Sequence, residues 1–242
     1  MKIHIQSIPV AICMLAGTVT ASAAITSGDV IAIDFSKKAS TTPGNWNNIV
    51  TAQAGDAGNF QSTSLTLDSD LIRLSDGAAT GIGLDVASSG TGLNTIGIGG
   101  LTVVSEGATA SFSGIGAVPD TAQVDVFYVT ANNATFTFTG LDDSLTYDLE
   151  FQSWTDTTAR DQATATITGG SFLNVDPNDS PSVYAFNNIS TDGSGNIELV
   201  LATGSDAAHI NALQLVAIPE PSTVGFLFGS VALILSAIRR RS

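Results

Sequence analysis

The sequence predicts an all-β protein, a single jelly-roll-like β-sandwich with a targeting segment at each end. Three observations carry this. Apolar residues alternate with period two in several separate stretches, turn-forming clusters fall between those stretches, and no interior window keeps a 3.6-residue apolar period for three turns. Gly, Ala, Ser, Thr and Asn dominate the interior while Lys and Glu are scarce, which disfavours helices.

At the N-terminus, Lys2 and His4 precede an apolar stretch from Ile8 to Val19, and Ala21-Ser22-Ala23 supplies the small-x-small pattern of a signal peptidase site. Residues 1–23 are therefore expected to leave as a signal peptide. Cys13, the single cysteine, leaves with them, and Ile12 before it is too large for a lipoprotein site. The mature chain then has no cysteine, so disulfides and thiol catalysis are excluded.

The sandwich is expected over 24–217. Its first strand is marked by Ile31, Ile33 and Phe35. The stretch from Ala78 to Val118 is rich in small residues, but Ile82, Leu84, Ile96, Ile98, Leu101 and Val103 recur as in short strands, and a disordered segment would carry fewer. Further strands are marked by Phe136 and Phe138, by Leu145, Tyr147, Leu149 and Phe151, and by Ile197, Leu199 and Leu201. Ala163 to Ile167 forms another strand, turning at Gly169-Gly170. Turns are predicted at Gly140–Ser144, Asn174–Pro181 and Asp192–Asn196.

The last segment, 218–242, reads as an address rather than as part of a fold. Pro219-Glu220-Pro221 is followed by a 15-residue apolar run from Val224 to Ile238 and then by Arg239-Arg240-Arg241. At about 1.5 Å per residue a helix over that run reaches roughly 22 Å, short for a hydrocarbon core of about 30 Å. The arginines would be retained on the cytoplasmic side, with everything before Pro219 across the membrane. The prolines bar helix continuation upstream and present an extended strand to a processing enzyme. An ordinary C-terminal tail anchor is the alternative. The arrangement resembles the PEP-CTERM signal of exported proteins of many Gram-negative bacteria. That resemblance implies recognition by exosortase, a membrane-embedded cysteine transpeptidase. It also implies transient anchoring by the C-terminal helix after export through the inner membrane, then residence at the cell surface or in an extracellular, biofilm-type matrix.

From Ala24 to Pro219 there are four basic residues, Lys37, Lys38, Arg73 and Arg160, against twenty-one acidic ones, a formal charge near −17. Nucleic acid and anionic membrane surfaces are excluded as partners. The segment Phe138 to Leu149 resembles the strand-turn-strand of malectin-like and related carbohydrate-binding jelly rolls. Phe186, Asp192-Gly193, Ile197–Leu201 and His209–Leu215 resemble the closing strands of that superfamily. The resemblance covers the second half of the mature chain and implies the sandwich fold, with extracellular polysaccharide as a partner class.

A sugar site needs an aromatic face and planar polar groups. Tyr147 alternates with core positions, and Tyr128 and Tyr184 are the other phenols. Trp46, in Gly44-Asn45-Trp46-Asn47-Asn48, and Trp154, where a strand gives way to a loop, are the candidate platform, with Asn47, Arg160 and Asp161 alongside. The competing reading, which the sequence favours, has each indole closing one end of the core. Asp192-Gly193-Ser194-Gly195-Asn196 carries oxygens at alternate positions, as a calcium loop does, but lacks the distant bidentate Glu of an EF-hand, so turn formation is its simpler role. A structural calcium is common in the resembled domains, and no other cofactor is expected. Zinc is not expected, since the mature chain has one histidine, His209, and no cysteine. That histidine has no Ser/His/Asp context, and no carboxylate pair stands out for glycoside hydrolysis. The expectation is a non-enzymatic surface or matrix protein with a structural or weak glycan-contact role. The alternatives are a dedicated carbohydrate-binding module and a polysaccharide-acting enzyme.

Overall fold

The computed structural model describes residues 24–35, 41–49, 58–60, 64–88, 93–97, 110–123, 125–130, 133–154, 162–176, 181–204 and 207–219. The strands begin with β1 (Val30–Asp34), β2 (Asn47–Asn48), β3 (Gly58–Phe60), β4 (Ser64–Asp68), β5 (Gly83–Ser88) and β6 (Leu93–Gly97). The short β7 (Ser111–Phe112) and β8 (Gly116–Ala117) precede a single helical turn, α1 (Asp120–Gln123). Then come β9 (Asp125–Thr130), β10 (Asn133–Thr139), β11 (Leu145–Ser153), β12 (Ala163–Ile167) and β13 (Phe172–Val175). The chain closes with β14 (Ser182–Ile189), β15 (Ile197–Ala202), β16 (Ala207–Ile210) and β17 (Ala212–Pro219).

A five-stranded sheet, ordered β14-β11-β17-β1-β2, packs on a six-stranded sheet ordered β13-β12-β15-β10-β5-β4, while β16-β9-β6-β3 forms a third. Alternation explains the packing. Ile31, Ile33, Leu149, Phe151, Leu213 and Leu215 turn inward from the first sheet, Phe136, Phe138, Leu199 and Leu201 from the second, and all join one buried cluster. Each such side chain stabilises the fold by about 1.5–3 kcal/mol relative to exposure. The rings of Phe35, Phe127 and Phe136 meet pairwise at 5.5 to 5.8 Å, tying the three sheets together. Tyr147 is fully buried, as its alternation predicts, and its hydroxyl accepts from Asp142 N (2.9 Å) and donates to Asp142 O (3.2 Å).

Residues 110–123 lie across the outer face of the five-stranded sheet, where Phe112, Val118 and Ala122 pack with Ala32, Ala212 and Trp46. Polar side chains share this face. Glu150 Oε2 accepts from Ser113 N (2.8 Å), and Gln152 and Gln214 donate to Gln123 Oε1 and Ser113 Oγ (3.3 Å each).

Several details depart from the sequence reading. Asn174 lies in β13 rather than in a turn, because Leu173 and Val175 still pack inward on that strand. His209–Leu215 is divided at Asn211: β16 pairs with β9, whereas β17 pairs with β1 and β11. The Asn211 side chain holds the break, donating to Gln123 O (3.2 Å) and accepting from Trp154 N (2.8 Å). The last described strand runs to Pro219. Ile98, Leu101 and Val103, the signal peptide, and the address from Glu220 to Ser242, including Pro221 and Arg239 to Arg241, lie outside the described residues. No helix among the described residues is long and apolar enough to cross a membrane.

Candidate functional site

The Gly44–Asn48 loop is polar because its side chains bond the protein's own backbone. Asn48 Oδ1 accepts from Thr42 N (2.6 Å), and its Nδ2 donates to Thr42 O and Trp46 O (2.9 and 3.1 Å). Asn47 Nδ2 donates to Ala32 O and Ile72 O (3.0 Å each), and its Oδ1 accepts from Ile72 N (2.8 Å), so that amide is fully engaged. Trp46 is 8% exposed and packs in the second cluster, which is the core-closing role rather than the platform. Trp154 is half-buried just after β11, while Arg160 and Asp161 lie outside the described residues. The five proposed glycan residues are thus not brought together among the described ones.

The acidic turns are occupied in the same manner. Asp192 Oδ1 accepts from Ser194 N and Asn196 N, and its Oδ2 from Asn196 Nδ2. Asp143 Oδ1 accepts from Gly195 N (2.9 Å) and from the Thr191 hydroxyl. The Asn196 amide holds the Asp192 carboxyl below its usual range, and the Ser144 hydroxyl does the same for Asp142. These are turn locks. Among the described residues no group of three His, Cys, Asp or Glu side chains is placed to hold a metal ion. His209 is buried and stacks on Tyr128, with centroids 5.8 Å apart.

A different feature faces solvent. Between the end of β14 and the β12–β13 turn lies a groove of about 340 Å³ at the edge of the sandwich. Ile167, Phe186 and Ile189 form its apolar floor, each about 5% exposed or less. Asn187, Asn188 and Ser190 rim one side and Ser171 the other, all exposed. Local structure explains the rim. Tyr147 pairs with Ile189 and Leu149 with Phe186, so β14 carries one extra residue against β11. At this bulge Asn188 adopts a left-handed backbone, φ 55°, a conformation that Asn tolerates better than most residues. In a regular strand, consecutive side chains would point to opposite faces. Here both amides line the groove, and neither side chain hydrogen-bonds to a described residue.

The walls are pinned. Thr168 N donates to Glu198 O (3.0 Å) while its hydroxyl accepts from Glu198 N (2.7 Å), and Gly169 and Gly170 both take positive φ in the turn. Next to Ser171 in the chain, Phe172 is 66% exposed on the edge strand β13.

No family model matches this sequence, and no curated protein matches it. Among solved structures, the CBM36-1 domain of a multidomain xylanase from the hindgut metagenome of Trinervitermes trinervoides is 18% identical. It covers 44% of this chain and 83% of its own, with a TM-score of 0.27. A carbohydrate-binding module CBM36 in complex with calcium and xylotriose is 15% identical over 44% of this chain and 85% of its own, again at 0.27. The enzymatically active domain of bacteriophage CBA120 tailspike protein 4 is 14% identical over 72% of this chain and 23% of its own, at 0.33. Overlaps this loose assign no ligand to the chain.

Chemically, the groove offers hydroxyls and amides above a hydrophobic floor. Its described lining carries no carboxylate, imidazole, amine or phenol. The sequence reading did not single it out, because a groove built at a register shift leaves no mark in period-two alternation. The signal that could have found it is the pair of αL-tolerant residues set inside an apolar alternation from Tyr184 and Phe186 to Ile189.

Proposed function

We propose that this is an exported, non-enzymatic β-sandwich, sorted by its C-terminal signal to the cell surface or extracellular polysaccharide matrix of a Gram-negative bacterium, where it contributes structure and weak glycan contact. The observation that carries the non-enzymatic part is the chemistry of the groove. It has binding groups and an apolar floor, but no carboxylate, imidazole, amine or phenol in its described lining to act as general acid or base or to activate a hydroxyl. The sorting part is supported by Pro219-Glu220-Pro221, the Val224–Ile238 run and Arg239 to Arg241. The partners are signal peptidase, exosortase and a matrix polysaccharide; membrane contact is confined to the unprocessed tail.

Co-sedimentation of the exported protein with its host's matrix polysaccharide, read together with a reducing-end assay, tests the reading. The protein is expected in the pellet with no new reducing ends. Reducing ends released in proportion to protein would make it an enzyme.

A further inference from the structure

We infer that the β14 groove is the glycan-contact site and that its ligand is an uncharged glycan chain, an inference that rests on the glycan-contact reading above. Asn187 and Asn188 are free amides that can each donate to one sugar hydroxyl and accept from another. Ser171, from the β12–β13 turn, lines the same groove and adds a hydroxyl to it. The Phe186–Ile189 floor suits the apolar face of a pyranose ring.

Charge selects the class of glycan. The described lining holds no cation to pair with a uronate or sulfate, and the chain from Ala24 to Pro219 carries a formal charge near −17, which repels polyanions. Nor does the lining hold a free carboxylate for an amino sugar. Asp148, behind the bulge, accepts from Asn188 N, and Asp143 accepts from Gly195 N and Thr191. The groove walls are held by hydrogen bonds from the backbone N–H groups of Asn188 and Glu198 to side-chain oxygens of Asp148 and Thr168 before any ligand arrives, which lowers the ordering cost of binding.

The test uses the full chain purified in detergent. It compares wild type with Asn187→Ala/Asn188→Gly on immobilised neutral β-glucan and xylan oligosaccharides, on uronate-containing oligosaccharides and on deacetylated amino-sugar oligosaccharides, with a melting curve for each protein. Glycine keeps the left-handed backbone at 188, so the variant is expected to melt as wild type does. Wild type is expected to bind the neutral set alone, and the variant to bind it at least tenfold more weakly. Unchanged neutral binding by the variant, or wild-type preference for a charged set, overturns the groove assignment while glycan contact stands. Binding to none of the sets overturns both.

Discussion

Asn188 donates its backbone N–H to the Asp148 carboxylate at 2.7 Å, joining the bulged edge strand to the neighbouring β11. The bond holds a left-handed asparagine in place. It thereby fixes where the two groove amides point, so local backbone geometry and the proposed site are one feature.

That geometry is separable by mutation. Asn188→Gly should unfold in urea at or slightly above the wild-type midpoint. Asn188→Val should lose about 1–3 kcal/mol, because a β-branched residue is strained at positive φ. Asp148→Ala should lose about 0.5–1.5 kcal/mol and leave the fold intact.

Trp46 belongs to the core, with 8% exposure. Trp46→Ala should therefore cost about 3–5 kcal/mol in denaturant melts. The fraction that remains folded should still bind glycan with wild-type affinity, because the ring is not offered to a ligand.

Burial pushes the Tyr147 phenol up from its ordinary 10 to about 12. Unfolding exposes a phenol that ionises more readily, so the stability linked to this group is complete below pH 10 and is lost as pH rises towards 12. Tyr147→Phe should be less stable by about 1–2 kcal/mol at neutral pH, from the two lost bonds to the Asp142 backbone. The gap between wild type and Tyr147→Phe should narrow between pH 10 and 12 in urea titrations at stepped pH.

Acid acts through the turn carboxylates. Asp192 and Asp142 have folded values below the ordinary 3.8, so what they contribute is present above that value and disappears as pH falls through the depressed one. Asp192→Ala should be less stable than wild type at neutral pH, and the difference should close below pH 3.8.

Much of the fold was legible because sandwich strands bury one face and announce it by alternation. Ile31 and Ile33, Phe136 and Phe138, and Leu199 and Leu201 all fall where the pattern puts them. What period two cannot express is a change of partner or register. Asn211 separates two strands in different sheets through the reach of its amide, and nothing in a continuous apolar stretch encodes that reach. The extra residue at Asn188 hides the groove in the same way. Trp46 misleads as a platform because its polar neighbours look solvated, whereas Asn47 and Asn48 bond the loop's and the core's own backbone. The strap 110–123 escapes pattern reading because its contacts lie across the chain, as from Ser113 to Glu150.

The measurement that bears most directly on the account is the intact mass of the protein, with cell fractionation, in a host that has exosortase and in the same host without it. The account predicts a chain starting near Ala24 and ending within Pro219 to Pro221 only where exosortase is present, found at the surface or in the matrix. A full-length tail held in the membrane in both hosts would contradict it and make this a tail-anchored periplasmic sandwich.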